Sequence, residues 1–92
     1  MKKITFFYME GCPYCRNARK AMEELKKENP AYEKLDIDWV EENEQPEISE
    51  KYDYFHVPAY FIGQEKLFEC SPMQGYAEIR ENVKRVFDAA LA

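Results

Sequence analysis

Apolar and polar positions along the chain change period several times, and each change marks an element. Residues 2–9 hold a nearly unbroken apolar run, Ile4-Thr5-Phe6-Phe7-Tyr8-Met9, which reads as a strand covered on both faces. Beyond Gly11 the period becomes helical. Cys15, Ala18, Met22 and Leu25 recur at i, i+3, i+7 and i+10, while Arg16, Arg19, Lys20, Glu23 and Lys26 fall largely outside that stripe. Pro13 suits the first helical turn, where its missing N–H costs nothing. Asn29-Pro30 closes the helix, because the residue before a proline avoids the α region.

A period of two follows. Leu35, Ile37 and Trp39 alternate with Asp36 and Asp38, which predicts a second strand, with Trp39 at its end as a packing residue. Strand, helix and strand make a βαβ unit, hence parallel pairing through a right-handed crossover. Pro46 starts a short helix through about Tyr52. Ala59–Ile62 and Lys66–Cys70 read as an antiparallel hairpin about the turn Gly63-Gln64-Glu65. From Tyr76 to Leu91 the helical period returns, with Ile79, Val83, Val86, Phe87 and Ala90 on one face. The predicted order is β-α-β-α-β-β-α over residues 1–92, a single α/β domain. It holds a four-stranded mixed sheet flanked by three helices.

Composition narrows the class. Of 92 residues, 46% are hydrophobic and 15% aromatic, enough for a real core in a domain of this size. Thirteen basic residues against 18 acidic ones leave a net charge of −5, which argues against binding nucleic acid, since phosphates demand a basic face. The acidic run Glu41-Glu42-Asn43-Glu44-Gln45-Pro46-Glu47 reads as a solvated loop and helix start. No stretch approaches the roughly 18 apolar residues of a membrane span. The apolar run after Lys2-Lys3 is cut off by Glu10 with no small-residue cleavage site behind it. The expectation is a cytoplasmic protein in a reducing compartment, without membrane partners and monomeric.

In that setting three cysteines do not make a disulfide framework. A close pair is then catalytic or metal-binding, and Cys12 and Cys15 are such a pair. Cys12 stands where a helix begins, facing unpaired backbone N–H groups and the positive end of the helix dipole. Such a place favours the thiolate, the form that attacks a disulfide. Arg16 and Arg19 would add a screened contribution. Cys15, one turn on, starts the apolar stripe. The asymmetry predicts that Cys12 attacks a disulfide and Cys15 resolves the mixed disulfide. The alternative is a metal or iron–sulfur carrier. A zinc site wants four ligands, and only Cys70 and His56 could join the pair. His56 either faces the cysteines, to stabilise the thiolate or relay a proton, or is an exposed residue before a strand. Cys70 reads as a buried small hydrophobe, and Tyr8 as part of the active-site rim.

Cys12-Pro13-Tyr14-Cys15 after a hydrophobic strand resembles the dithiol active site of glutaredoxins. Lys51–Pro58 followed by Ala59–Ile62 resembles the stretch of glutaredoxins and thioredoxins that ends in a cis-proline. The resemblance implies a thioredoxin fold and thiol–disulfide oxidoreductase activity on protein or mixed disulfides, with no bound cofactor. It also implies that Pro58 is cis and lies against the cysteines, and that Val57 pairs its backbone with an extended substrate. Pro13, Tyr14, Gly75 and Tyr76 join Val57 and Pro58 as substrate-contacting positions, with His56 and Arg16 modulating the cysteines. The chain departs from the pattern where glutathione is held. Met9 stands where many glutaredoxins have a basic residue, and His56 where Thr or Ser is common. Gln74 replaces the first glycine of a Gly-Gly element, and Glu69–Met73 lengthens the approach to it. The expected electron donor is therefore either glutathione or a flavoprotein of the thioredoxin-reductase type.

Overall fold

A computed structural model describes all of residues 1–92. The central strand β1 (Ile4–Tyr8) leads through a short loop into the helix α1 (Pro13–Glu28), with Pro13 in its first turn. Strand β2 spans Ile37–Glu41 and helix α2 Pro46–Ser49. The hairpin strands β3 (Ala59–Ile62) and β4 (Glu65–Glu69) follow, and helix α3 (Tyr76–Leu91) closes the fold. The sheet runs β2-β1-β3-β4, with β1 parallel to β2 and antiparallel to β3, and β3 antiparallel to β4. The sequence-predicted element order and the four-stranded mixed sheet are both present. No helix is long and apolar enough to cross a membrane.

Alternation along β1 explains the layers. Ile4 and Phe6 face α1 and α3, where they meet Met22, Leu25, Val83 and Phe87. Phe7 points through the sheet to a smaller cluster with Val40, Ala59 and Phe61, covered by Ile48, Tyr52, Tyr54 and Val57. Tyr60 and Phe61 on β3 divide in the same way, Tyr60 stacking on Phe6 at 4.8 Å between ring centroids. Burial on both faces is what the unbroken apolar run of β1 required. Across the outer face of α1 and α3, Arg80 pairs with Glu28 and Glu24, and the Tyr76 hydroxyl donates to Glu24.

Several boundaries differ from expectation. Asn29 does end α1, its N–H donating to the Leu25 carbonyl at 3.0 Å. Its side chain then accepts the Ala31 N–H at 3.1 Å and caps a 3-10 helix over Pro30–Lys34. That extra turn buries Tyr32, whose hydroxyl donates to Asp88, and delays β2 until Ile37. Trp39 therefore lies mid-strand instead of at its end, and on this edge strand it stays 43% exposed, its ring edge-on to Phe6 and Tyr8. Helix α2 stops at Ser49 rather than near Tyr52, and β4 ends one residue before Cys70.

Candidate active site

The chain leaves β1 at its C-terminal end and turns through Met9, Glu10 and Gly11. Gly11 has φ +85°, a left-handed conformation that a glycine adopts without a Cβ penalty. The turn brings the Cys12 N–H to the Met9 carbonyl at 3.3 Å and makes Cys12 the N-cap residue of α1. Cys12 is partly exposed and Cys15 is buried. Burial pushes the Cys15 thiol up to about 12; a backbone hydrogen bond from Met9 pulls the other way, and the Cys12 sulfur adds to the rise. One thiol is thus presented at the positive end of a helix, while its neighbour is held protonated behind it.

Two carboxylates fix the loops that meet at this point. Glu41, at the end of β2, is buried and accepts the backbone N–H of Glu10 at 2.9 Å and those of Asn43 and Glu44 at 2.6 and 3.1 Å. The Glu10 amide leads in holding this carboxylate below the usual range; burial opposes it, and the Asn43 and Glu44 amides reinforce it. The acidic run is therefore not wholly solvated: its first member is a buried clasp for the cysteine loop. Glu69, at the end of β4, accepts the N–H groups of Phe55 and His56 at 2.9 and 2.8 Å and pairs with Lys66. Burial acts to raise its pKa, but Lys66 and the two amides outweigh it and bring it down. Neither glutamate stood out in the sequence, where the only signal is a carboxylate at the end of an apolar-patterned strand.

Held by Glu69, the segment before β3 forms one cleft with Met9 and Tyr14, residues that flank Cys12 in the chain. The Val57–Pro58 bond is cis, the isomer that the resemblance implies. Pro58 is buried and its carbonyl accepts the Cys70 N–H at 3.0 Å. The backbone N–H and carbonyl of Val57 have no partner within the chain. Met9, Tyr14, His56, Val57, Cys70 and Pro72 line a cleft of about 250 Å³. His56 is exposed and on the cleft wall. Cys70 is buried there too, raised to about 11 by burial first and then by Cys12 and Glu78. Tyr14 crosses to the far side of the chain, its hydroxyl accepting the Met73 N–H at 2.9 Å.

The remaining sequence candidates lie apart from the cleft. Pro13 is exposed in the first turn of α1. Arg16 lines a separate depression with Arg19, Lys20, Glu23 and Trp39. Gly75 is the N-cap residue of α3, and Tyr76 turns to α1, its ring under the Lys20 ammonium at 5.0 Å. Tyr8 lies under the Arg19 guanidinium. No group of three or more His, Cys, Asp and Glu side chains is arranged to hold a metal ion within the chain.

Known proteins share this fold. Thioredoxin 1 from the thermophilic eubacterium Thermosipho africanus superposes with a TM-score of 0.59 at 17% identity, over 98% of this chain and 99% of that one. Fasciola hepatica thioredoxin gives 0.58 at 22% identity, over 90% of this chain and 78% of its own. At such identities these structures establish the thioredoxin fold. No curated protein sequence matches the chain. The glutaredoxin family model, however, matches residues 4–67, from β1 through the cysteine pair and the cis-proline into β4. The chain belongs to the glutaredoxin family.

Proposed function

We propose that the protein reduces disulfides in protein partners, and mixed disulfides, by dithiol exchange. The observation that supports this most directly is the unequal pair: Cys12 partly exposed at a helix N-cap and Cys15 buried with its proton retained. In the first step the Cys12 thiolate attacks one sulfur of the substrate disulfide, forming a mixed disulfide and releasing the other sulfur as a thiolate. Cys15 then loses its proton and attacks the Cys12 sulfur. The substrate leaves reduced, and Cys12–Cys15 holds the oxidising equivalent of two electrons. Shielding Cys15 until Cys12 is engaged keeps the resolving thiol from competing for the substrate.

The unpartnered backbone of Val57 fits the extended main chain of a substrate beside the cysteines, as a short β-like contact. His56 and Arg16 modulate the pair from outside it. No bound cofactor is needed, because the sulfurs carry the electrons, and the protein works in a reducing compartment such as the cytoplasm. Glutathione or a flavoprotein of the thioredoxin-reductase type returns the pair to the dithiol.

The test is a coupled assay on a disulfide-bridged protein, run with glutathione and its reductase and, in parallel, with thioredoxin reductase. The expected result is turnover in at least one arm and a loss of at least about 100-fold for Cys12→Ser. Undiminished turnover by Cys12→Ser would overturn the proposal.

A further inference from the structure

We infer that the cleft beside Cys12 selects an extended substrate segment carrying a bulky apolar side chain next to its disulfide cysteine, and disfavours glutathione; this rests on the exchange reaction proposed above. One large apolar side chain stands almost bare on the cleft wall, and a second follows a wall residue in the chain. Phe55 is 84% exposed and forms part of the wall, and Met73 is 89% exposed immediately after Pro72, another wall residue. Both are fixed at the backbone rather than carried on loose loops. The Phe55 N–H is held by Glu69 and the Met73 N–H by the Tyr14 hydroxyl, each at 2.9 Å. Met73 is held with φ at 78°, a conformation that costs a non-glycine residue of order 1 kcal/mol. Exposed apolar surface gathered at one cleft, on a rigid frame, is the signature of a contact that covers it.

Charge decides the occupant. Glutathione carries a carboxylate at each end, and no lysine or arginine lines the cleft. Its charged wall residue is Glu42, whose carboxylate accepts the Tyr54 hydroxyl at 2.7 Å and repels an anion. The cations Arg16, Arg19 and Lys20 line the separate depression. The Ser71 amide, on the cleft wall, is already taken by the Gln74 side-chain oxygen at 2.8 Å. A peptide segment needs none of these cations. It can pair with the free Val57 N–H and carbonyl and lay an apolar side chain on Phe55 and Met73.

The experiment compares kcat/KM for three substrates: a peptide disulfide with phenylalanine beside the cysteine, the same peptide with serine there, and the serine peptide as its glutathione mixed disulfide. The wild type is expected to favour the phenylalanine peptide over the serine peptide at least tenfold, with the glutathione adduct no better than the serine peptide. In Phe55→Ser/Met73→Ser the ratio between the two peptides falls to within about twofold of unity. In Trp39→Ser, outside the cleft, it persists. Partial unfolding scales both rates alike and leaves the ratio intact. Equal use of all three substrates, preference for the glutathione adduct, or a ratio retained in the double variant would overturn the inference while leaving disulfide reduction standing. Reduction of none would overturn both.

Discussion

The Glu41 carboxylate receives the Glu10 N–H from 31 residues away in sequence, at 2.9 Å, and so ties β2 to the loop that delivers Cys12. Its pKa lies below the ordinary 4.5 because backbone amides donate to the ionised form. The stability it supplies is therefore complete above about pH 4.5 and is lost as pH falls through the lower folded value. Glu41→Gln should reduce stability at neutral pH and flatten the acid limb of the stability curve. Urea midpoints measured from pH 7 to pH 3 check this. An acid limb unchanged in the variant would show that other carboxylates govern it.

The three thiols should separate by chemistry. Burial raises Cys15 to about 12 and Cys70 to about 11, whereas Cys12 is the one with exposed surface. Iodoacetamide at pH 8 should alkylate Cys12 alone in the native protein, with Cys15 and Cys70 reacting only near pH 11 or on unfolding. Peptide mapping by mass spectrometry reads the pattern. Because a raised thiol pKa favours the folded, protonated state, stability should also fall as pH rises above the ordinary 9.0 toward those values.

Tyr60 carries a buried hydroxyl without a hydrogen-bond partner, between the sheet and the two long helices. A buried polar group left unpaired costs about 1–3 kcal/mol. Tyr60→Phe keeps the ring that stacks on Phe6 and removes the hydroxyl. It should raise unfolding stability by about 1 kcal/mol in a urea titration. A loss of similar size would mean that the hydroxyl has an essential partner.

Tyr14→Phe should release the Met73 amide at little cost to the fold. The lost bond is exposed, which places its contribution at about 0.5–1 kcal/mol. Hydrogen exchange at Met73 should accelerate while amides in β1 and β3 keep their protection. Unchanged protection at Met73 would show that the loop is held elsewhere.

The apolar periods of β1, α1 and α3 were legible because each spans enough residues to show its face. The cysteine pair was legible because its place before a helix is local. What escaped depends on contacts between distant parts of the chain. Asn29 both ends a helix and caps the next turn, so the start of β2 moved. Trp39 looked like core until the strand order made β2 an edge. Glu41 read as part of a solvated run and Glu69 as one more strand residue, since nothing near them in sequence reveals that amides of Glu10, Phe55 and His56 converge on them.

The Cys-Pro-Tyr-Cys segment is consequently not a portable cassette. The loop that carries it is tied to a carboxylate at the end of β2, and its tyrosine is bonded to the loop before α3. Grafted onto another helix, the four residues would carry their sulfurs and leave these fixtures behind. Conversely, the chemistry of the pair could be retuned by evolution or engineering without altering any of the four, through residues that a motif search would pass over.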